Sequence, residues 1–175
     1  IRTVRTEGDE CLRKVCKPVK SVSLRTRILI EDMFDTMYES GGVGLAAPQI
    51  GVLKRIVVMD TDDNQHVLIN PQILEVSGEQ TGYEGCLSIP GKSGIVTRPD
   101  YVKVKALNER GEEYVLEGEG LLARCICHEC DHLDGILYSD KAEGGLINNE
   151  DLPEDEEEEL YEDAYEEFTE EEIHK

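Results

Sequence analysis

The sequence predicts an α+β fold for this chain of 175 residues. Three features point there. One stretch, capped by Ser21 or Ser23 and running to about Ser40, has the apolar spacing of an amphipathic helix. Tyr101–Leu107 alternates like a half-buried strand. Strands and helices do not alternate strictly enough along the chain for a parallel α/β sheet.

Residues 1–20 read as an extended start, with Pro18 breaking any helix. Ser21 or Ser23 can cap a helix that runs to about Ser40. Within it Ile30, Met33, Phe34 and Met37 keep the i, i+3, i+4, i+7 spacing of one buried face, and Gly41 and Gly42 end it. Short β-like runs come next at 55–60, 67–70 and 73–76, the last set apart by Pro71. The acidic run at 60–64 resembles a calcium loop. However, Gln65 stands where such a loop needs Gly and Pro71 where it needs Glu, so a solvated turn is expected. In Tyr101–Leu107, Val102, Val104 and Ala106 alternate with Lys103 and Lys105. A turn at 108–111 and a return strand at 114–117 complete the pair. A second helix is expected over 119–133, stopping at Gly135. From Pro153 onward, Leu160, Tyr161, Ala164, Tyr165 and Phe168 form a stripe at helical spacing among mutually repelling Glu residues. This reads as a marginal docked helix or a frayed tail, with a partner-binding helix as the sharper alternative.

Hydrophobic residues make up 39% and charged residues 33%, as in a soluble globular domain. No apolar run approaches the ~20 residues of a membrane-spanning helix. The first five residues hold no apolar signal core, so no secretory peptide is expected. The net charge is −21. Residues 150–175 hold fifteen acidic residues and one basic, against 24 acidic and 17 basic in the rest, so most of the acidity lies in the tail. Such a chain is a poor ligand for nucleic-acid phosphates or anionic membranes. Of six cysteines, Cys125, Cys127 and Cys130 crowd beside His128 and His132. That mixture suits metal chemistry in a reducing compartment, and a cytoplasmic location is expected.

His128-Glu129-Cys130-Asp131-His132 fits H-E-x-x-H. At ~100° per helical residue, the two imidazoles lie ~40° apart and one turn along, so they can share a divalent metal. Glu129 beside them can take a proton from water on that metal. The bland alternative is a helix with two satisfied surface histidines. Two histidines do not close a site, and the third ligand has several candidates. His174 lies in the polar tail. Cys125 is near the same face one turn back. Cys127 and Cys130 point to the flanks, too late in the helix for a redox pair. Cys86 stands upstream in Glu84-Gly85-Cys86-Leu87-Ser88.

Three segments together carry a resemblance: Gly42-Val43-Gly44-Leu45-Ala46-Ala47-Pro48-Gln49, then Glu84-Gly85-Cys86-Leu87-Ser88, then His128-Glu129-Cys130-Asp131-His132-Leu133-Asp134-Gly135. In order and spacing they resemble the three motifs of the peptide deformylase family, and the similarity runs from about residue 1 to 141. The first segment also imitates a dinucleotide fingerprint. That fingerprint needs a strand before it and a helix after it. Here a helix precedes it and Pro48 interrupts the residues after it, so nucleotide binding is rejected. A glycine-rich edge that pairs with a peptide main chain is the better reading.

The resemblance implies antiparallel sheets packed around a central metal-binding helix, with an N-terminal helix and an acidic C-terminal helix or tail. It implies a catalytic domain over 1–147 and an acidic segment over 148–175. It makes Cys86, His128 and His132 the metal ligands and Glu129 the general base. The Gln49 amide and the Leu87 backbone N–H become oxyanion donors. Val43, Gly44, Gly85, Arg98, Leu121 and Cys125 become substrate contacts, although Leu121 and Cys125 read equally well as core and Arg98 as a surface strand residue. The implied reaction removes the N-formyl group from the N-terminal formyl-methionine of newly made proteins and releases formate. Fe(II) is the implied native metal, with Zn, Ni or Co able to occupy the site. The implied partners are N-formyl-methionyl nascent peptides and, transiently, the ribosome, without direct nucleic-acid or membrane binding. A zinc endopeptidase would leave Gln49 and Cys86 without a role. A structural metal module would not need Glu129. The roles of Glu84, Arg124, Cys127 and Cys130 stay open.

Overall fold

The computed structural model describes residues 1–153, and the expectations for the stripe at 160–168 and for His174 lie outside them. The described residues form an α+β fold with two α-helices, α1 (Leu24–Glu39) and α2 (Gly120–Leu133). Their strands are β1 (Gly44–Ala46), β2 (Ile56–Asp60), β3 (Gln65–Ser77), β4 (Gln80–Cys86), β5 (Ile89–Arg98), β6 (Tyr101–Leu107), β7 (Glu113–Glu119) and β8 (Glu143–Asn148). They build a five-stranded sheet in the order β1-β2-β3-β6-β7 and a three-stranded sheet in the order β4-β5-β8. All strand pairs are antiparallel. No described helix is long and apolar enough to cross a membrane.

Helix α1 begins where its cap dictates. Ser23 accepts a hydrogen bond from the Thr26 backbone N–H, and the Thr26 hydroxyl accepts one from Ser23 N–H, so two otherwise orphaned donors are satisfied. Its expected face packs Ile30, Met33, Phe34 and Met37 against Leu45, Ile56, Val58 and Ile69. The alternate residues Ala46, Val57 and Met59 pack on the opposite side with Ala123, Ile126 and Leu133 of α2. The period of two along β1 and β2 therefore places the large sheet between the two helices. The small sheet contributes Ile89 and Val96 to a third apolar cluster with Leu12, Leu137 and Tyr138.

Two strand boundaries differ from the sequence reading. The runs at 67–70 and 73–76 belong to one strand, β3, with an irregularity where Ile69 pairs with Leu107 and Gln72 with Lys105. Pro71 has no N–H to give the ladder, and Asn70 takes φ 53°. The Asn70 side chain stabilises the kink by accepting from Val19 N and donating to Val19 O. The hairpin of β4 and β5 and the strand β8 are additions to the reading. The acidic run after β2 is an exposed turn, as expected. The packed unit extends past residue 147, because Leu152 is buried and Ser93 donates to Asn149.

Gly135 ends α2 at φ 75°, and a Cβ there would lie 2.5 Å from the Arg13 carbonyl oxygen. Backbone faces backbone, so no side-chain adjustment can relieve the contact. Gly135→Ala is expected to lower unfolding stability by about 1–3 kcal/mol. An unchanged midpoint in urea unfolding would contradict this packing.

Candidate metal centre

Helix α2 presents His128 and His132 one turn apart, with ring centroids separated by 5.1 Å. The end of β4 brings Cys86 to them. Ligand atoms of Cys86, His128 and His132 all lie within 4.8 Å of one another. The Cys86 Sγ is 3.4 Å from His132 Nε2. Of the candidates for the third ligand among the described residues, Cys86 is the one that joins the histidine pair.

The orientation of His128 is set by Glu84. Its Nδ1 lies 2.7 Å from Glu84 Oε1. An ionised carboxylate only accepts, so Nδ1 carries the proton and Nε2 keeps its lone pair for the site. Glu84 is almost wholly buried. Burial alone would raise its pKa, but hydrogen bonds from His128 and Arg98 outweigh it and hold the carboxyl well below the usual range. Burial also opposes a charge on His128, yet its hydrogen bonds to Cys86 and Glu84 prevail and lift its pKa well above the ordinary value. Burial, helped by the nearby His128, keeps His132 neutral. His132 Nδ1 and Glu129 Oε1 are buried without a hydrogen-bond partner. Two imidazoles, one sulfur and an unpartnered carboxylate oxygen form a donor set that fits a divalent cation.

Glu129 faces the edge strand β1 rather than the solvent. Burial pushes its pKa up to about 7, the range in which a carboxylate can take a proton and return it near neutral pH. Gln49 is 1% exposed and fixed at both ends of its amide. Its Oε1 accepts from Ala46 N at 2.9 Å, and its Nε2 donates to Ser88 Oγ at 3.1 Å and approaches Cys86 Sγ at 3.6 Å. Leu87 and Ser88 form the turn between β4 and β5, which puts the Leu87 backbone N–H next to Cys86 in the chain. The N-terminal segment ties these loops together, since Arg5 N donates to Gln49 O and Glu7 N to Ser88 O.

The remaining expected residues divide. Gly44 and Cys125 adjoin Glu129, since a Cβ on Gly44 would lie 2.4 Å from Glu129 Oε2 and 2.7 Å from Cys125 Sγ. Val43 is half-buried beside them, and its carbonyl is 3.9 Å from Cys125 Sγ. Gly85 and Leu121 are exposed. Arg98 is not the surface strand residue of the alternative reading: it is 3% exposed, forks onto both oxygens of Glu84 and pairs with Asp131 at 2.7 Å. Its partner Glu84 is the carboxylate that also meets His128. Cys127 and Cys130 are buried and unpaired, and burial raises both thiol pKa values. Ser88 and Asp131 contribute to the surroundings of these residues although the sequence reading gave them no role, and Arg124 does so as a residue whose role the sequence left open. Each needs a partner on a distant segment.

The model of the polypeptide deformylase family matches residues 1–145. The chain belongs to the peptide deformylase family. A peptide deformylase of Agathobacter rectalis is 61% identical over 146 residues, 83% of this chain and 92% of that protein. One from Lachnoclostridium phytofermentans is 55% identical over 160 residues, covering 90% and 98%. The crystal structure of a Synechococcus elongatus peptide deformylase in complex with actinonin is similar at TM-score 0.80 and 42% identity, covering 82% of this chain and 81% of that one. The Thermotoga maritima peptide deformylase gives the same score and identity, covering 82% and 98%. The protein is accordingly a metal-dependent hydrolase that removes the N-formyl group from nascent peptides.

Gly44 of β1 leaves no room for a Cβ beside the Glu129 carboxylate and the Cys125 sulfur. Gly44→Ala must displace Glu129 or Cys125. We expect deformylase kcat/KM to fall by at least about 10²-fold, the lower end of a general-base contribution, with an unchanged circular-dichroism spectrum. A variant as active as the parent would contradict the close approach of β1 to Glu129.

Proposed function

We propose that Cys86, His128 and His132 hold the metal of the deformylation reaction and that Glu129 moves its proton. The observation that carries this reading is the convergence of the three ligand atoms within 4.8 Å beside a buried carboxylate whose pKa is raised to about 7. A divalent cation held there supplies Lewis acidity, which makes water nucleophilic at neutral pH and polarises the formyl carbonyl. Glu129 accepts the proton of the attacking water and delivers it to the departing amine. The Gln49 amide and the Leu87 N–H donate to the oxygen as it gains charge, and each such donor is worth roughly 10²–10³ in rate. The hydrogen bonds that Gln49 accepts from Ala46 N and donates to Ser88 Oγ support this role, because an amide held at both ends needs little reorganisation as charge develops.

The substrate main chain pairs with β1, an edge strand of the large sheet, at Val43 and Gly44. Leu121 and Cys125 line the pocket for the methionine side chain, and Gly85 borders the chain beyond it. Fe(II) is the native metal in this reading, with Ni, Co or Zn as substitutes. A thiolate with two imidazoles would suit zinc by softness alone, so iron rests on the family resemblance. The catalytic domain runs past the expected boundary at 147 to about Leu152, and the acidic residues that follow make transient contact with basic ribosomal proteins. The cysteine-rich metal motif suits the cytoplasm.

Glu129→Ala should retain its metal and lose about 10²–10⁴ of its formate-release rate on a formyl-methionyl peptide. An unchanged rate would remove Glu129 from the mechanism. Protein purified without air should contain iron and lose activity on exposure to oxygen, and nickel substitution should prevent that loss. Equal and air-stable activity with zinc would contradict the iron assignment.

A further inference from the structure

The Glu84 carboxylate has about four acceptor directions, and the structure uses four. Oε1 accepts from His128 Nδ1 at 2.7 Å and from Arg98 Nη2 at 3.0 Å. Oε2 accepts from Arg98 Nε at 2.9 Å and from Arg124 Nη1 at 2.6 Å. Arg124 and His128 are i and i+4 on α2, so the carboxylate is gripped by two successive turns of the helix that carries both histidine ligands. The Arg98 fork approaches both oxygens together, whereas His128 pulls on Oε1 alone. The Arg124 bond to Oε2 opposes that one-sided pull.

Arg124 is itself held at several points. Its side chain is 10% exposed. Nη1 also donates to the Val96 carbonyl at 3.2 Å, and Nε donates to Gln80 Oε1 at 3.3 Å. The Gln80 amide in turn donates to the Gly120 carbonyl at 2.7 Å, at the first residue of α2. The guanidinium thus connects β4, β5 and α2 at the depth of Glu84. In this group Arg98 and Arg124 pair with Glu84, and Arg98 and Lys141 pair with Asp131.

We propose that Arg124 is a positioning residue of the metal centre: it fixes Glu84 along α2 and through Glu84 sets the orientation of His128. This rests on the assignment of His128 as a ligand. A planar fork can satisfy Glu84, Val96 and Gln80 together, and a lysine point charge cannot.

The test uses the full chain loaded with Co(II), reading affinity by chelator competition and geometry by the cobalt visible spectrum. Outer partners of metal ligands typically contribute about 10–100-fold to affinity. Arg124→Met should weaken Co(II) binding by about tenfold and alter the spectrum, and Arg124→Lys should stay closer to Met than to the parent. Glu84→Ala should weaken binding too, and adding Arg124→Met to it should cost little more, because the second residue acts through the first. Parental affinity and spectrum in Arg124→Met, full recovery in Arg124→Lys, or additive losses in the double variant would each overturn the proposal. If Arg124→Met does not fold, Gln80→Leu removes one of its supports, and an unchanged cobalt spectrum there overturns it equally. Cys86→Ala separates the two readings. If it loses cobalt while Arg124→Met keeps it, the positioning role alone fails; if it keeps cobalt at parental affinity, the ligand assignment fails.

Discussion

A carboxylate removed from water must find hydrogen bonds or a counter-charge, and Glu84 finds both at the junction of the small sheet with α2. The contact does more than satisfy one group. Glu84 and Cys86 are two residues apart in β4, so fixing Glu84 against His128 also fixes where Cys86 arrives. The strand that delivers the sulfur and the helix that delivers the imidazoles are aligned by the same buried ion cluster. A buried ion pair of this kind is weak support for stability as such, because desolvation offsets much of the attraction. Its value here is geometric: it brings one sulfur and two imidazoles from two distant segments together.

The large sheet sets the other wall. With α1 on one face and α2 on the other, β1 and β2 are buried on both sides, which leaves little freedom for Gly44 relative to Glu129. Gly44 and Glu129 are therefore positioned relative to each other by the core itself. In the proposed reaction this would register the substrate main chain against a fixed proton carrier.

How much of this was legible in the sequence depended on where each residue's partners lie. The Ser23 cap, the face of α1, the alternation of Tyr101–Leu107 and the stop at Gly135 are written locally, and the fold obeys them. H-E-x-x-H is also local, because a helix fixes the relation between His128 and His132. The β4–β5 hairpin was invisible because its buried positions include Glu84, Ser88, Ser93 and Arg98, which leave no apolar alternation to read. Pro71 made one strand look like two. The ion pairs of Arg98 could not be read because its partners, Glu84 and Asp131, are separated from it by 14 and 33 residues. The choice of Cys86 over Cys125 needed the resemblance for the same reason: spacing within a helix cannot report a sulfur from another strand.

The central claim is that one sulfur and two imidazoles share a single cation. X-ray absorption at the edge of the bound metal reads that set of neighbours directly. With zinc in the site, the account predicts one sulfur near about 2.3 Å and nitrogen neighbours near about 2.0–2.1 Å, with the sulfur component gone in Cys86→Ala. A parental spectrum fitted by nitrogen and oxygen alone, or a sulfur component that survives loss of Cys86, would contradict it.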